Sequence, residues 1–191
     1  MSRQIISAIV TALGFACSAH AADAYKIDKT HADLLFSIEH AGFSHKHGSF
    51  RDFDGELQFD EAKPENSKVT VVVQTMSLDT AHPGRDQDLK SDKFFDVAKF
   101  PEMRFESTKV VPGKNQEMRV EGNLTLHGVT KPIVLTTKLN KAGPNPFDKT
   151  PTLGFSATGT LKRSDFGITT YLPMIGDVVE ITIDAEFRRA P

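Results

Sequence analysis

The sequence predicts an all-β fold of eight antiparallel strands closed into a barrel, with one short helix and two apolar inserts. Three observations carry that expectation. Apolar and polar residues alternate with a period of two through most of the chain, so each strand has one core face and one wet face. The connections are of hairpin length except at two places. Those two places, Met76–Pro101 and Ser164–Asp177, are irregular yet rich in Phe, Leu, Tyr and Met, so they must dock over the sheet as a lid or plug. A two-sheet sandwich satisfies the same alternation and stays open as the alternative.

The chain starts with a segment that is not part of the fold. Arg3, the apolar run Ile5–Ala16 and the small-residue site Ala19-His20-Ala21 have the layout of a secretory leader over residues 1–21, cut between Ala21 and Ala22. The run is too short to remain as a bilayer span. A single domain over 22–191 follows, large enough for one full core. Losing Arg3 takes Lys+Arg from 23 to 22 against 25 Asp+Glu, a net charge of −3, which argues against a nucleic-acid surface. Cys17 leaves with the leader, so the mature chain has no thiol chemistry and no disulfide.

Ala24–Asp28 reads as a short first strand and Asp33–His40 as a second, with Leu34, Phe36, Ile38 and His40 on one face. Ala41–Gly48 reads as a loop. Strands follow at Phe53–Phe59, at Val69–Gln74 beyond the turn Pro64–Ser67, and at Met103–Thr108. Inside the first insert, Leu89, Lys93 and Phe94 have helical spacing, which predicts a helix around 85–94, and Asp79 is placed to cap a turn. The clearest pair runs through Gly122-Asn-Leu-Thr-Leu-His-Gly-Val-Thr-Lys-Pro132, with Gly128 at a turn that needs positive φ. Strands Leu153–Leu161 and Val178–Arg188 complete the set. Gly122 and Gly159 fall on interior faces, which fits the coiling a barrel needs.

Residues able to do chemistry are sparse. His40, His45 and His47 are near in sequence and could hold zinc or copper, but no cysteine or facing carboxylate joins them; hydrogen-bonded rim histidines are the simpler reading. No Gly-x-Ser-x-Gly or phosphate-cradling glycine loop occurs. Arg85, Asp86, Asp88 and Lys90 read as the wet face of the helix. The 14 phenylalanines, most of them on apolar faces or in the inserts, are core by default. An eight-stranded barrel is either just filled or holds one small apolar ligand, and periodicity alone leaves those two level.

Several motifs run in order across the chain: Asp28-Lys-Thr-His31, Phe36-x3-His40, Gly48-x-Phe50-x2-Phe53-x-Gly55, Phe94-Phe-Asp96, Phe100-Pro101, Gly122-Asn-Leu-Thr-Leu-His-Gly128 with Lys131-Pro132, and Arg163-x-Asp165-Phe-Gly167. Together they resemble the YceI-like proteins, a polyisoprenoid-binding family of bacterial envelopes. That resemblance implies a lipocalin-like barrel that binds and carries a long isoprenoid lipid, such as a prenyl quinone or polyprenyl phosphate, without catalysis, cofactor or metal. It also implies a periplasmic location, transient membrane contact and a homodimer. Competing expectations are a filled structural or stress-associated envelope barrel and a His-based metal protein. On strand phase and position in the inserts, the expected ligand-lining residues are Phe36, Ile38, Phe53, Leu57, Val71, Phe94, Phe105, Leu124, Leu135, Phe155, Leu172, Met174 and Ile181.

Overall fold

The computed structural model describes residues 22–190; the leader expected over 1–21, including the Ala21 side of its cleavage point, lies outside them. Among these described residues ten strands are formed: β1 Asp23–His40, β2 Ser44–Phe50, β3 Phe53–Phe59, β4 Lys68–Gln74, β5 Leu78–Asp79, β6 Glu102–Pro112, β7 Glu117–Leu126, β8 Val129–Pro144, β9 Pro151–Lys162 and β10 Ile175–Arg189. One helix, α1, spans Pro83–Lys90. Eight strands close in the order β1-β3-β4-β6-β7-β8-β9-β10, and β10 pairs back onto β1. Every ladder is antiparallel, as expected of sequential hairpins. The predicted barrel is therefore observed, and the sandwich is not. β2 and β5 form a short ribbon beside one half of β1.

Three boundaries differ from the sequence reading. The two expected N-terminal strands are one strand, β1. Asp28-Lys-Thr-His31, whose polar residues suggest a turn, is a bulge where the register shifts between Ile27 and Ala32. The expected loop 41–48 is a three-residue turn, Ala41–Phe43, followed by a strand. Ala41 (φ 53°) and Gly42 (φ 73°) make the turn, and β2 pairs with β1 from His40↔Ser44 to Leu34↔Phe50. Its polar composition hid it, because His45 and His47 lie on the wet face. The helix starts two residues earlier and ends four earlier than the expected 85–94. Pro83 presets its first turn, and His82 Nδ1 accepts from the Arg85 backbone N–H at 3.2 Å. Beyond Lys90 the chain turns, with the Phe95 N–H donating to the Leu89 carbonyl.

The two ends of the barrel differ. The lower end gathers the turns 60–67, 113–116 and 145–150, the start of β1 and the end of β10. It is packed by Tyr25, Leu57, Phe59, Leu153, Ala185 and Phe187. Phe155 stacks edge-on between Phe59 (6.1 Å) and Phe187 (6.0 Å). Burying a side chain of this size contributes about 1.5–3 kcal/mol, so this plug is a main source of stability. Asp60 ties the turn beneath it: its carboxylate accepts from the Lys63 N–H (2.8 Å) and the Asn66 amide (3.2 Å), which hold its pKa below the ordinary carboxylate value. The upper end gathers the β1–β2 turn, the first insert, the His127-Gly128 turn and residues 163–174.

Candidate functional site: a hollow lumen with a basic mouth

Between the two ends lies a cavity of about 650 Å³. A filled core leaves few voids larger than a water molecule, so this volume excludes the filled-barrel expectation. Inward-facing Val69, Val71, Met103, Ile181 and Ile183 line it and stay half-buried, because one side of each faces space. Two glycines help keep it wide. A Cβ on Gly48 would meet the Phe36 ring at 2.3 Å, and one on Gly122 the Phe105 ring at 2.3 Å. Both rings therefore lie flat against the wall instead of projecting across the lumen. For Gly122 this close approach is the visible use, where coiling was the expectation.

Phe36, Ile38, Phe53, Leu57, Val71, Phe94, Phe105, Leu124, Leu135, Phe155 and Ile181 all line the cavity. Leu172 and Met174 do not, which corrects that expectation. Residues 169–175 turn back on themselves, with Leu172 N–H donating to Thr169 O (3.1 Å) and Ile175 N–H to Tyr171 O (2.9 Å), so strand phase does not apply there. Met174 is 62% exposed, and Tyr171 faces the lumen in their place. Phe50, Leu89, Phe95 and Ile168 also line the cavity and were missed. Phe50 was findable: it shares the phase of Gly48 once 44–50 is read as a strand.

The inserts fold across the upper end. Phe95 packs edge-on against Phe50 (5.6 Å), Phe94 lies 6.0 Å from Tyr171, and Thr170 Oγ1 donates to the Lys93 carbonyl (2.6 Å), tying one insert to the other. Arg163 supports this lid from below. It is buried, and its guanidinium donates to the carbonyls of Gly176 (2.8 Å), Ile168 (2.9 Å) and Ile175 (2.9 Å). Burial lowers its pKa and Asp177 partly offsets that. His127 (φ 51°) and Gly128 (φ 74°) form the β7–β8 turn, and His127 Nδ1 contacts the Phe166 carbonyl at 3.1 Å. The family motifs around Gly122–Gly128 and Arg163–Gly167 thus build the lid, and their Leu124, Leu126 and Arg163 also line the cavity.

His40, His47, His82, Gly84, Asp88 and Tyr171, exposed members of the lining, sit at the upper end, where the cavity reaches solvent, and exposed Lys68 borders it beside the lower 60–67 turn. Lys46 is directly opposite Ile38 across the β1–β2 ladder and shares the phase of Gly48, so it is on the cavity face. It takes part in none of the ion pairs among the described residues. Arg85 completes the rim, held by Thr80, to whose Oγ1 (2.8 Å) and carbonyl (2.7 Å) it donates. The mouth is therefore basic, with Asp88 as a lining carboxylate.

The histidines are not brought together as a metal set. His40 lies on the face of Ser44 and Lys46, while His45 and His47 lie on the opposite one. Among the described residues, Asp28, His31 and Glu186 are grouped closely enough to share an ion. Asp28 is already engaged there as the staple of the β1 bulge. It accepts from Thr30 N (3.0 Å) and Thr30 Oγ1 (2.6 Å), contacts His31 Nδ1 (3.1 Å) and lies 3.8 Å from Arg188. The Thr30 hydroxyl, above all, lowers its pKa to about 2, and Asp28 in turn raises that of His31.

Fold and cavity define a class: a hollow, lipocalin-like antiparallel barrel of eight strands, plugged at one end and open at the other. Within that class the chain belongs to the YceI-like family, whose domain matches residues 25–187. It is 44% identical over 192 residues to a UPF0312 protein of Yersinia enterocolitica, covering 99% of this chain and 98% of the relative. The YceI protein of Campylobacter jejuni superposes with a TM-score of 0.73 at 31% identity, over 81% of this chain and 91% of the other. A polyisoprenoid binding domain of Saccharophagus degradans, implicated in plant cell wall breakdown, shares the fold at a TM-score of 0.64 and 16% identity, over 88% and 99%.

Proposed function

We propose that this protein binds one long isoprenoid lipid in the lumen and carries it through the periplasm without altering it. The observation that carries this reading is the cavity of about 650 Å³, lined by Phe, Leu, Ile and Val and plugged at one end. An isoprenoid tail is insoluble in water, and each CH2 buried contributes about 0.8 kcal/mol, so such a lumen needs no directional chemistry to hold it. Family membership supports the reading, as does the polyisoprenoid binding of the Saccharophagus degradans domain. Binding is preferred over catalysis because Lys46, Arg85 and Asp88 lie at the mouth, Lys68 and Arg104 are exposed, and the donors of Arg163 are committed to backbone carbonyls. A polar head lies among Lys46, Arg85 and His82, which suits a phosphate or a quinone carbonyl. Transfer implies transient contact with a membrane. The periplasmic location rests on the leader pattern of residues 1–21.

Organic extraction of the purified, exported protein followed by mass spectrometry tests the reading. The expected result is a prenyl lipid near one per chain. An empty extract from protein expressed in a host rich in prenyl quinones, together with no uptake of added prenyl quinone, overturns it. The same spectra read the mature N-terminus, expected at Ala22.

A further inference from the structure

The most exposed large apolar side chains are Phe147 at the lower end and Phe43, Met174 and Met76, and two of these adjoin at the upper end. Phe43, at the tip of the β1–β2 hairpin, is 91% exposed, and Met174 is 62% exposed. These two belong to one edge, because the Ala41 N–H donates to the Met174 carbonyl at 2.7 Å and stitches the hairpin tip to the 171–174 turn. Tyr171, 47% exposed, extends that edge into the cavity, which it lines. An exposed apolar edge thus runs without a break into the mouth of an apolar lumen. The hairpin segment 40–47 adds Lys46 and three histidines and holds no carboxylate. Glu39, the nearest acid in sequence, accepts from the Gly42 N–H inside the turn.

We infer that this edge, Phe43 with Met174 and Tyr171, docks the mouth onto the surface of an anionic lipid bilayer. The inference rests on the carriage reading and names the surface that carriage would use. Three features select a bilayer as the occupant. An insoluble ligand must pass the mouth without crossing water, so the mouth must abut the ligand's source. A second copy seated on the same edge would shut that passage. A stable protein interface also needs about 800 Å² per partner, whereas interfacial insertion works with a few apolar side chains backed by basic ones. Lys46, in a segment 40–47 that holds no carboxylate, complements the negative potential of anionic headgroups.

The chain has no tryptophan, which makes the test direct. Phe43→Trp places a sole reporter at the tip. Phe147→Trp places one at the lower end, where Phe147 is equally exposed at 93%. Each mature variant is mixed with vesicles of phosphatidylethanolamine and phosphatidylglycerol. The expected result is a blue-shifted emission for the tip reporter and none for the lower-end reporter. In parallel, Phe43→Ser combined with Met174→Ser should lower the vesicle-bound fraction about tenfold, since each lost 1.4 kcal/mol of insertion is a factor of ten. Both positions are surface positions, so the fold tolerates the change. A tip reporter that stays unshifted overturns docking. So does one that shifts with protein concentration in the absence of vesicles while the mass doubles, which would assign the edge to a second copy. Lipid extracted from the same preparations separates the two claims. An empty extract with no uptake of added prenyl quinone but a shifted tip reporter sinks carriage and leaves docking standing, and a loaded extract with an unshifted reporter does the reverse.

Discussion

The two ends of one barrel are built from the same strands and differ in what their side chains face. At the lower end, Phe59, Phe155, Phe187 and Leu153 face one another and the lumen stops. Halfway up, Val71 and Ile181 face the cavity and remain half-buried. At the upper end the strands are roofed by two inserts rather than by each other, and the roof leaves a basic gap. Both ends are packed, by Leu153 and Phe187 below and by Leu78 and Phe166 above, and the capacity to hold a ligand lies between plug and roof. Residue for residue, the same hydrophobic side chain should matter to different measurements according to its height in the barrel.

The largest effect should come from a charge placed where the two zones meet. Phe155 touches the plug and lines the lumen. In Phe155→Glu an unpaired carboxylate replaces the ring, and burying it without a partner costs several kcal/mol. The extract of the folded variant should contain no prenyl lipid. Normal lipid content in folded protein would remove Phe155 from the binding surface. Within the plug itself, Phe187 is 6% exposed, and Phe187→Ala should lower unfolding free energy by about 3–5 kcal/mol in denaturant titrations. A loss under about 1 kcal/mol would mean that the lower plug contributes little to stability.

A smaller effect belongs to the β1 bulge. The pKa of Asp28, lowered chiefly by the Thr30 hydroxyl to about 2, lies below its unfolded value of 3.8. A depressed folded pKa contributes stability above the unfolded pKa and loses it as pH falls through about 4 towards 2. Asp28→Asn should therefore cost about 1–2 kcal/mol at pH 7 and almost nothing at pH 2, read from urea unfolding at both values. A gap that stays constant with pH would show that the carboxylate charge is not what the bulge uses. His31 acts with the opposite sign. Its raised pKa adds stability below its unfolded value and loses it as pH rises above.

Alternation made the barrel and most of its lining legible, because inward residues repeat every second position whether they face a neighbour or a void. The same rule explains each miss. β2 carries His45 and His47 on its wet face and Ser44, Lys46 and Gly48 on its inner one, so it has almost no apolar contrast to read. That concealed Phe50 and the basic mouth together. Asp28-Lys-Thr-His31 has turn composition but sits in a bulge, where the polar groups bond one another instead of reversing the chain. Leu172 and Met174 were assigned by their place in an apolar insert, and inserts have no period. Hollow against filled was not legible, since a valine facing space and one facing a phenylalanine have the same sequence signature.

The mildest substitution bears most directly on that last distinction. Val71 lines the wall above the plug, paired with Gly55 and Phe105 in adjoining strands, and it points into the cavity. In a filled core, Val→Ala removes buried methyl groups and leaves a new hole, and both terms add to the cost. Here the space already exists, so only part of the transfer term is lost, and Val71→Ala should cost under about 1 kcal/mol. Its effect should appear instead in ligand retention, as a few-fold faster loss of a bound prenyl quinone to acceptor vesicles. The paired measurement separates the two zones: a wall residue moves retention and hardly moves stability, while Phe187 does the opposite. If Val71→Ala destabilises the empty protein as strongly as Phe187→Ala, the lumen closes when no ligand is present, and the barrel holds its ligand by opening around it.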